Sequence, residues 1–285
     1  MANNPSPTVR RKRLGMELRR LREQAGFTLA QVGEKLECSE ARISRLETGH
    51  VGVRPGDVME LLEIYQVDDP HIREALVTFA RESRRKGWWH SYNDVMPSWF
   101  EPYVGFEAAA SAIWTYESHL MPGLLQTPEY ARALEYAAPR PDSDEEIERR
   151  VALRTARQDV FSRENPPDMW VILSEAVLRL SVAEPEVMRK QLHQLLVLAK
   201  MPYLTLQVLP FASKAHVNPL GSFKVMEFSD PLDPKLVYLE HLTSSLFLEK
   251  EAEVRRYTLV FDHLRAEALS TGESQKLIRQ VAEDL

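Results

Sequence analysis

Residues Phe27 to Gly49 read FTLAQVGEKLECSEARISRLETG, and this stretch constrains the fold more than any other. Thr28 is a helix N-cap residue, and Gln31 three positions on completes a capping box. Leu29, Val32 and Leu36 follow at spacings of three and four, one apolar face of a short helix. Glu37 and Cys38 leave room only for a tight break. Ser39 caps a second helix, with Ile43 and Leu46 on its apolar face. Its other face carries Glu40, Arg42, Ser44 and Arg45. Gly49 stops it, as a residue free to take a left-handed backbone does. The pattern is two short helices joined by a turn.

The flanks extend the pattern. Leu14, Leu18, Leu21 and Ala25 form a helical stripe ended by Gly26. Val58, Leu61, Leu62 and Tyr65 form another, opened by Pro55. Ile72, Leu76 and Phe79 predict a fifth helix, with Asp69 as its cap and Pro70 at its first position. Two amphipathic helices of an ordinary bundle would share the spacing. Here the spacing, caps and polar face all agree on a helix-turn-helix. A helix of this length, capped by Ser39 and closed by Gly49, fits a DNA major groove, with its N-terminal side chains at the base edges.

Arg13 to Ala80 resembles the phage-repressor type of DNA-binding domain, the Xre family, through Gly-apolar-Thr followed by Ser-x-x-x-Ile-Ser-Arg-Leu-Glu-x-Gly. The resemblance implies a structural ion pair between Arg22 and Glu47. It implies base-facing positions at Glu40, Ala41 and Arg45, and a phosphate contact at the helix start, Thr28. Leu29 stands where the family often has Gln. Arg45 and Arg42 are the expected guanine readers, with Arg42 equally suited to a phosphate. Ser39, Ser44 and Thr48 complete the expected DNA-facing set.

Charge is unevenly spread. The net charge is −6, yet residues 1–86 hold 16 basic and 13 acidic residues, and the remainder 20 and 29. The first part is thus +3 and the rest −9. Arg10, Arg11, Lys12 and Arg13 run together, an arm that reaches phosphates or a minor groove, or else a solvated tail. The acidic remainder suits a protein partner or a ligand rather than DNA. Cys38 is the single cysteine. That excludes an internal disulfide and a Cys-rich zinc site, and its place in the turn predicts core filler. No apolar run approaches the length of a membrane span, so a cytoplasmic protein, nucleoid-associated when bound to DNA, is expected.

The organisation read from the sequence is mainly α. A helix-turn-helix domain occupies residues 1–82, an aromatic-rich connector 83–105, and an α+β domain with a small sheet 106–285. Trp88, Trp89, Tyr92, Trp99, Phe100, Tyr103 and Phe106 crowd the connector without interleaved Lys or Arg, so they predict core packing rather than a stacking platform for single strands. Glu107–Ser118 reads as a helix, Pro122-Gly123 as a type II turn, and Thr127 as the cap of a helix with Pro128 at its first position. A charged helix is predicted over Ser143–Arg163, and another over Glu184–Ala199. Strands are predicted at Trp170–Leu173, Tyr203–Leu209, Ser222–Phe228 and Lys235–Glu240. The chain closes with a helix from Leu248 to Leu269 and a short one from Glu273.

Several words of this second part resemble one family. They are Pro-Gly-Leu-Leu-Gln-Thr-Pro-Glu-Tyr (122–130), Arg154-x-x-Arg157-Gln158, Glu175-Ala176-x-Leu178-Arg179, Gln207-Val208-Leu209-Pro210 and Tyr238-x-Glu240. From Trp88 to Ala282 they are similar to the C-terminal domain of actinobacterial Xre-type regulators of the WhiJ type, described as antitoxin-like. The resemblance implies a transcriptional regulator, expected to be a repressor, that binds a double-stranded DNA operator and works with a small partner protein encoded nearby.

Enzyme signatures are lacking. There is no phosphate-cradling glycine loop and no HExxH, and Glu240 and His241 are neighbours that point to opposite faces of a strand. No catalytic, metal or cofactor site is predicted. Arg154, Arg157, Glu175 and Arg179 are expected in ion pairs between helices. His216, in the polar loop 212–220, borders a candidate pocket. Phe247, Val254, Phe261 and Ala268 recur every seven residues, with Tyr257 and Leu264 between them. That stripe serves either core packing or a homodimer and partner contact. The expected function is a homodimeric DNA-binding regulator, the alternatives being a small-molecule-sensing regulator and an enzyme with an appended DNA-binding domain.

Overall fold

The computed structural model describes residues 6–138, 143–214, 221–230 and 233–285. His216 lies outside the described residues. The chain divides into two units, Met1–His90 and Ser91–Leu285. Residues 83–105 are therefore shared between the two, and Tyr103 and Val104 are buried in the second.

The first unit consists of five helices: α1 (Pro7–Gln24), α2 (Leu29–Lys35), α3 (Glu40–Glu47), α4 (Pro55–Ile64) and α5 (Pro70–Glu82). Their apolar stripes meet in one core containing Leu14, Leu18, Val32, Ile43, Leu46, Val58, Leu62 and Leu76. Cys38 packs against it, half-buried, as filler. The expected caps are all formed. Thr28 and Gln31 make a reciprocal capping box, Ser39 accepts from the Arg42 amide, and Asp69 accepts from His71 and Ile72.

The C-terminal ends of the first four helices share one geometry. At Gly26, Glu37, Gly49 and Gln66 the backbone turns left-handed, with φ of 77°, 49°, 73° and 58°. At each, the next amide reaches back to the third-last helical carbonyl, as His50 N does to Arg45 O at 3.0 Å. These are Schellman ends, which satisfy carbonyls that the helix leaves open.

The second unit is built on a six-stranded sheet in the order β3-β2-β1-β4-β5-β6. The strands are β1 (Ala110–Glu117), β2 (Asp168–Ser174), β3 (Leu204–Leu209), β4 (Phe223–Phe228), β5 (Leu236–Glu240) and β6 (Ser245–Leu248). β1, β2 and β3 are mutually parallel, while β4, β5 and β6 continue antiparallel. Its helices are α6 (Glu101–Glu107), α7 (Pro128–Tyr136), α8 (Asp144–Arg157), α9 (Glu175–Arg179), α10 (Pro185–Leu198), α11 (Glu251–Glu267) and α12 (Thr271–Glu283).

Alternation along the strands fills two cores. Ile113, Met169, Val171, Leu173, Leu206 and Val208 face Leu192 and Leu195 of α10 and Ile278 of α12. On the opposite face, Tyr116, Ile172, Phe223, Val225 and Val237 meet Val254, Phe261 and Leu264 of α11.

Several expectations are corrected. Glu107–Ser118 is not a helix: its greater part is β1, in the middle of the sheet. Ala108 to Ala112 favour a helix locally, but pairing with β2 and β4 on both sides decides the outcome. Pro122-Gly123 is not a type II turn, because a 3-10 turn runs over Gly123–Leu125. The charged helix stops at Arg157 and tightens into a 3-10 turn over Gln158–Ser162. β6 and α9 were not expected.

The seven-residue stripe is no intermolecular seam. Phe247 lies on β6 and packs on Phe106 and Tyr238, on the face opposite α11. Val254, Phe261 and Leu264 are buried against the sheet, and Tyr257 meets the Phe223 ring edge-on at 5.0 Å. A strand separates Phe247 from the helix, so the period of seven is coincidental.

Candidate nucleic-acid interface

α3 is held from behind and open in front. Ile43, Leu46 and Glu47 are buried, while Glu40, Ala41, Arg42, Arg45 and Thr48 are exposed and Ser44 is half-buried. α1 presses closely on the far end of the helix. A Cβ added to Gly15 would lie 2.5 Å from the Glu47 carbonyl oxygen, so only glycine permits this approach.

The Arg22–Glu47 pair fastens the same junction. Arg22 Nε and Nη2 donate to the two Glu47 oxygens at 2.7 and 3.0 Å, and Nη1 donates to the Phe27 carbonyl at 2.8 Å. The hydrogen bond from Arg22 to Glu47 holds the guanidinium above its ordinary pKa, against the burial that lowers it. Tyr65, close by, is pushed up chiefly by burial.

On the open face the side chains differ in freedom. Arg45 makes no ion pair among the described residues. Arg42 lies 3.3 Å from Asp57 Oδ2, at the start of α4. Thr48 Oγ1 donates to the Ser44 carbonyl at 2.8 Å, so its hydroxyl proton is engaged within the helix. Thr28 and Ser39 sit at the two helix starts, where first-turn amides and the helix dipole favour phosphate. Asp57 was not singled out in the sequence. The signal available was a carboxylate in the first turn of a helix.

The reading of Arg10 and Arg11 as a phosphate-reaching arm is corrected. Both lie within α1. Arg10 stacks over the Phe79 ring at 4.7 Å, and its Nε is 2.9 Å from Glu82 Oε2 though out of hydrogen-bond alignment. Arg11 reaches the Ser83 carbonyl at 3.5 Å. Ser6 caps the helix and Pro7 opens it, which winds the basic run into α1 and docks it on α5.

The second unit contains a buried ionic cluster. Arg157 donates from Nε and Nη2 to Glu107 at 2.7 and 2.8 Å, and Tyr103 hydrogen-bonds the same carboxylate. Tyr103 stacks on Tyr238 at 4.2 Å, and Tyr238 donates to Glu240 at 2.9 Å. Lys224 pairs with Glu117 at 2.7 Å. In register, Lys224 stands between Thr115 of β1 and Tyr238 of β5. Burial lowers the Arg157 pKa, but Glu107 outweighs it and the net direction is up. Burial, then the Glu107 charge, pushes Tyr103 well up. The charged groups of the cluster each have a hydrogen-bonding partner, as buried charges require. Of the four residues expected in ion pairs between helices, Arg157 and Arg154 do pair across helices, with Glu107 and Glu135, whereas Glu175 and Arg179 pair within α9.

No helix among the described residues is long and apolar enough to cross a membrane. Residues 13–76 match a helix-turn-helix domain family. The first unit is thus a helix-turn-helix domain, and the class of the chain is a DNA-binding regulator. Residues 100–280 match the family described as a domain of unknown function, DUF5753, and the chain belongs to that family. No curated protein and no solved structure matches it.

Proposed function

We propose that this protein is a sequence-specific transcriptional repressor that works as a homodimer. The first unit reads a double-stranded operator through α3, and the second joins the chains and receives a small, antitoxin-type partner protein in the cytoplasm. The observation that carries the DNA-reading part is α3 itself. It is anchored by Ile43, Leu46 and the Arg22–Glu47 pair, and it presents on its open face Arg45, which makes no ion pair among the described residues.

Arg45 is assigned to a guanine in the major groove. Arg45→Ala should weaken operator binding by about 1–3 kcal/mol and relax preference at one base pair. Selection from a randomised duplex pool, run on the wild type and the variant, measures both. An unchanged selected sequence and affinity would remove Arg45 from the reading set.

Dimerisation follows from how little DNA one such helix reads. Domains of this kind act on half-sites about 34–36 Å apart or at multiples of that spacing. With the seven-residue stripe buried, the apolar surface for pairing or for the partner lies elsewhere in the second unit. Leu242 (95% exposed), Leu259 and Phe211 are its candidates. Sedimentation of the full chain at micromolar concentration should give a dimer, and Leu242→Asp or Leu259→Asp should weaken it. A monomeric wild type, free and on DNA, would overturn this part of the reading.

A further inference from the structure

The open face of α3 carries two arginines under different constraints. Arg45 makes no ion pair among the described residues, whereas Arg42 Nη2 lies 3.3 Å from Asp57 Oδ2. The Arg42 side chain is 52% exposed and that of Asp57 29%, so the pair stands at the surface where DNA arrives. Asp57 is the third residue of α4, after Pro55 and Gly56, and Arg54 gives that helix no side-chain cap. First-turn amides and the helix dipole favour a carboxylate there, which holds the Asp57 side chain in place at the helix start. Arg42 is likewise fixed at its root, because its amide donates to the capping Ser39 hydroxyl at 3.2 Å.

A DNA duplex offers Arg42 two kinds of partner. Phosphates attract it whatever the sequence, while a guanine edge does so only at the right base pair. A carboxylate beside the guanidinium opposes the first kind most, since it repels a phosphate but not a neutral base. We propose that Asp57 is a specificity-determining residue of the DNA interface. It holds Arg42 away from phosphates and thereby keeps sequence-independent binding weak. The proposal rests on the DNA-reading function of α3.

The test uses the full chain and a random-sequence duplex of mixed composition, titrated with salt. Asp57→Asn is isosteric and leaves the side chain in place. It should tighten this binding roughly three- to tenfold at moderate salt and steepen the slope of log affinity against log salt by about one unit, the signature of one added phosphate contact. In an Arg42→Ala background the same change should have little effect, because the carboxylate acts through Arg42. A role only in the stability of α4 would lower the melting temperature and leave the salt slope unchanged. That result, or an equal gain with and without Arg42, overturns the role given to Asp57. A wild type with no salt-dependent duplex binding at all would overturn the DNA-reading function as well.

Discussion

Replacing Arg157 by methionine should destabilise the second unit by about 3–5 kcal/mol. The guanidinium side chain is 4% exposed and both of its bonded nitrogens point at Glu107, itself 2% exposed. Methionine restores much of the stem's packing but leaves a buried carboxylate with only the Tyr103 hydroxyl. Stranding a charge in this way costs more than the intact pair contributes. The double variant Arg157→Met/Glu107→Leu should therefore recover most of the loss. Urea unfolding followed by tryptophan fluorescence, to which Trp114 and Trp170 on β1 and β2 contribute, measures both. An equal loss in the double variant would place the cost in packing instead, since Arg157 also stacks on Phe100 and Tyr103 at 5.2 and 5.3 Å. A single-variant loss below about 1 kcal/mol, as an exposed pair gives, would contradict the buried geometry.

This cluster explains words that the sequence presented only as strings. Gly123 is not there for a left-handed backbone. A Cβ in its place would lie 3.1 Å from both terminal nitrogens of Arg157, so glycine lets the guanidinium pass. Gln158 donates to the Gln126 carbonyl at 2.7 Å, and Arg154 reaches Glu135 at 2.9 Å. Two separated words, 122–130 and 154–158, thus meet around one buried arginine. Spacing along the chain carries no signal of such a meeting, because the partner Glu107 comes from a short helix 50 residues earlier.

Legibility differed between the units for a physical reason. In the first, local rules decide nearly everything. Caps at Thr28, Ser39 and Asp69 start helices, and Gly26 and Gly49 stop them at a backbone angle that glycine takes freely. Glu37 and Gln66 adopt the same angle without glycine's freedom, so their stops were legible only as breaks in the stripe. In the second unit, the four strands that were found are rich in Val, Leu, Phe and Tyr. β1 was lost because its alanines favour a helix and both of its faces are covered, which removes the alternation that marks a strand. The basic run misled for the opposite reason. Charge density alone suggested an arm, while Ser6, Pro7 and the Phe79 ring draw those residues into a helix.

Arg22→Met should cost the first unit about 3 kcal/mol and loosen α3 with it. Glu47 would remain buried at the end of α3 without its two donors, and the Phe27 carbonyl would lose a third. The damage falls where α1, the start of α2 and the end of α3 meet, a junction already packed to backbone contact at Gly15. If α3 reads DNA as proposed, loosening it shifts the face that α3 presents, so DNA affinity should fall although Arg22 is buried behind it. Amide hydrogen exchange on the full chain separates this from a lost contact. Arg22→Met should speed exchange in α1 and α3 and leave the sheet of the second unit unchanged. Arg45→Ala should weaken DNA binding with no change in exchange anywhere. Native exchange rates in Arg22→Met would show that the pair does not hold α3, and faster exchange in Arg45→Ala would place its effect in stability rather than in a lost DNA contact.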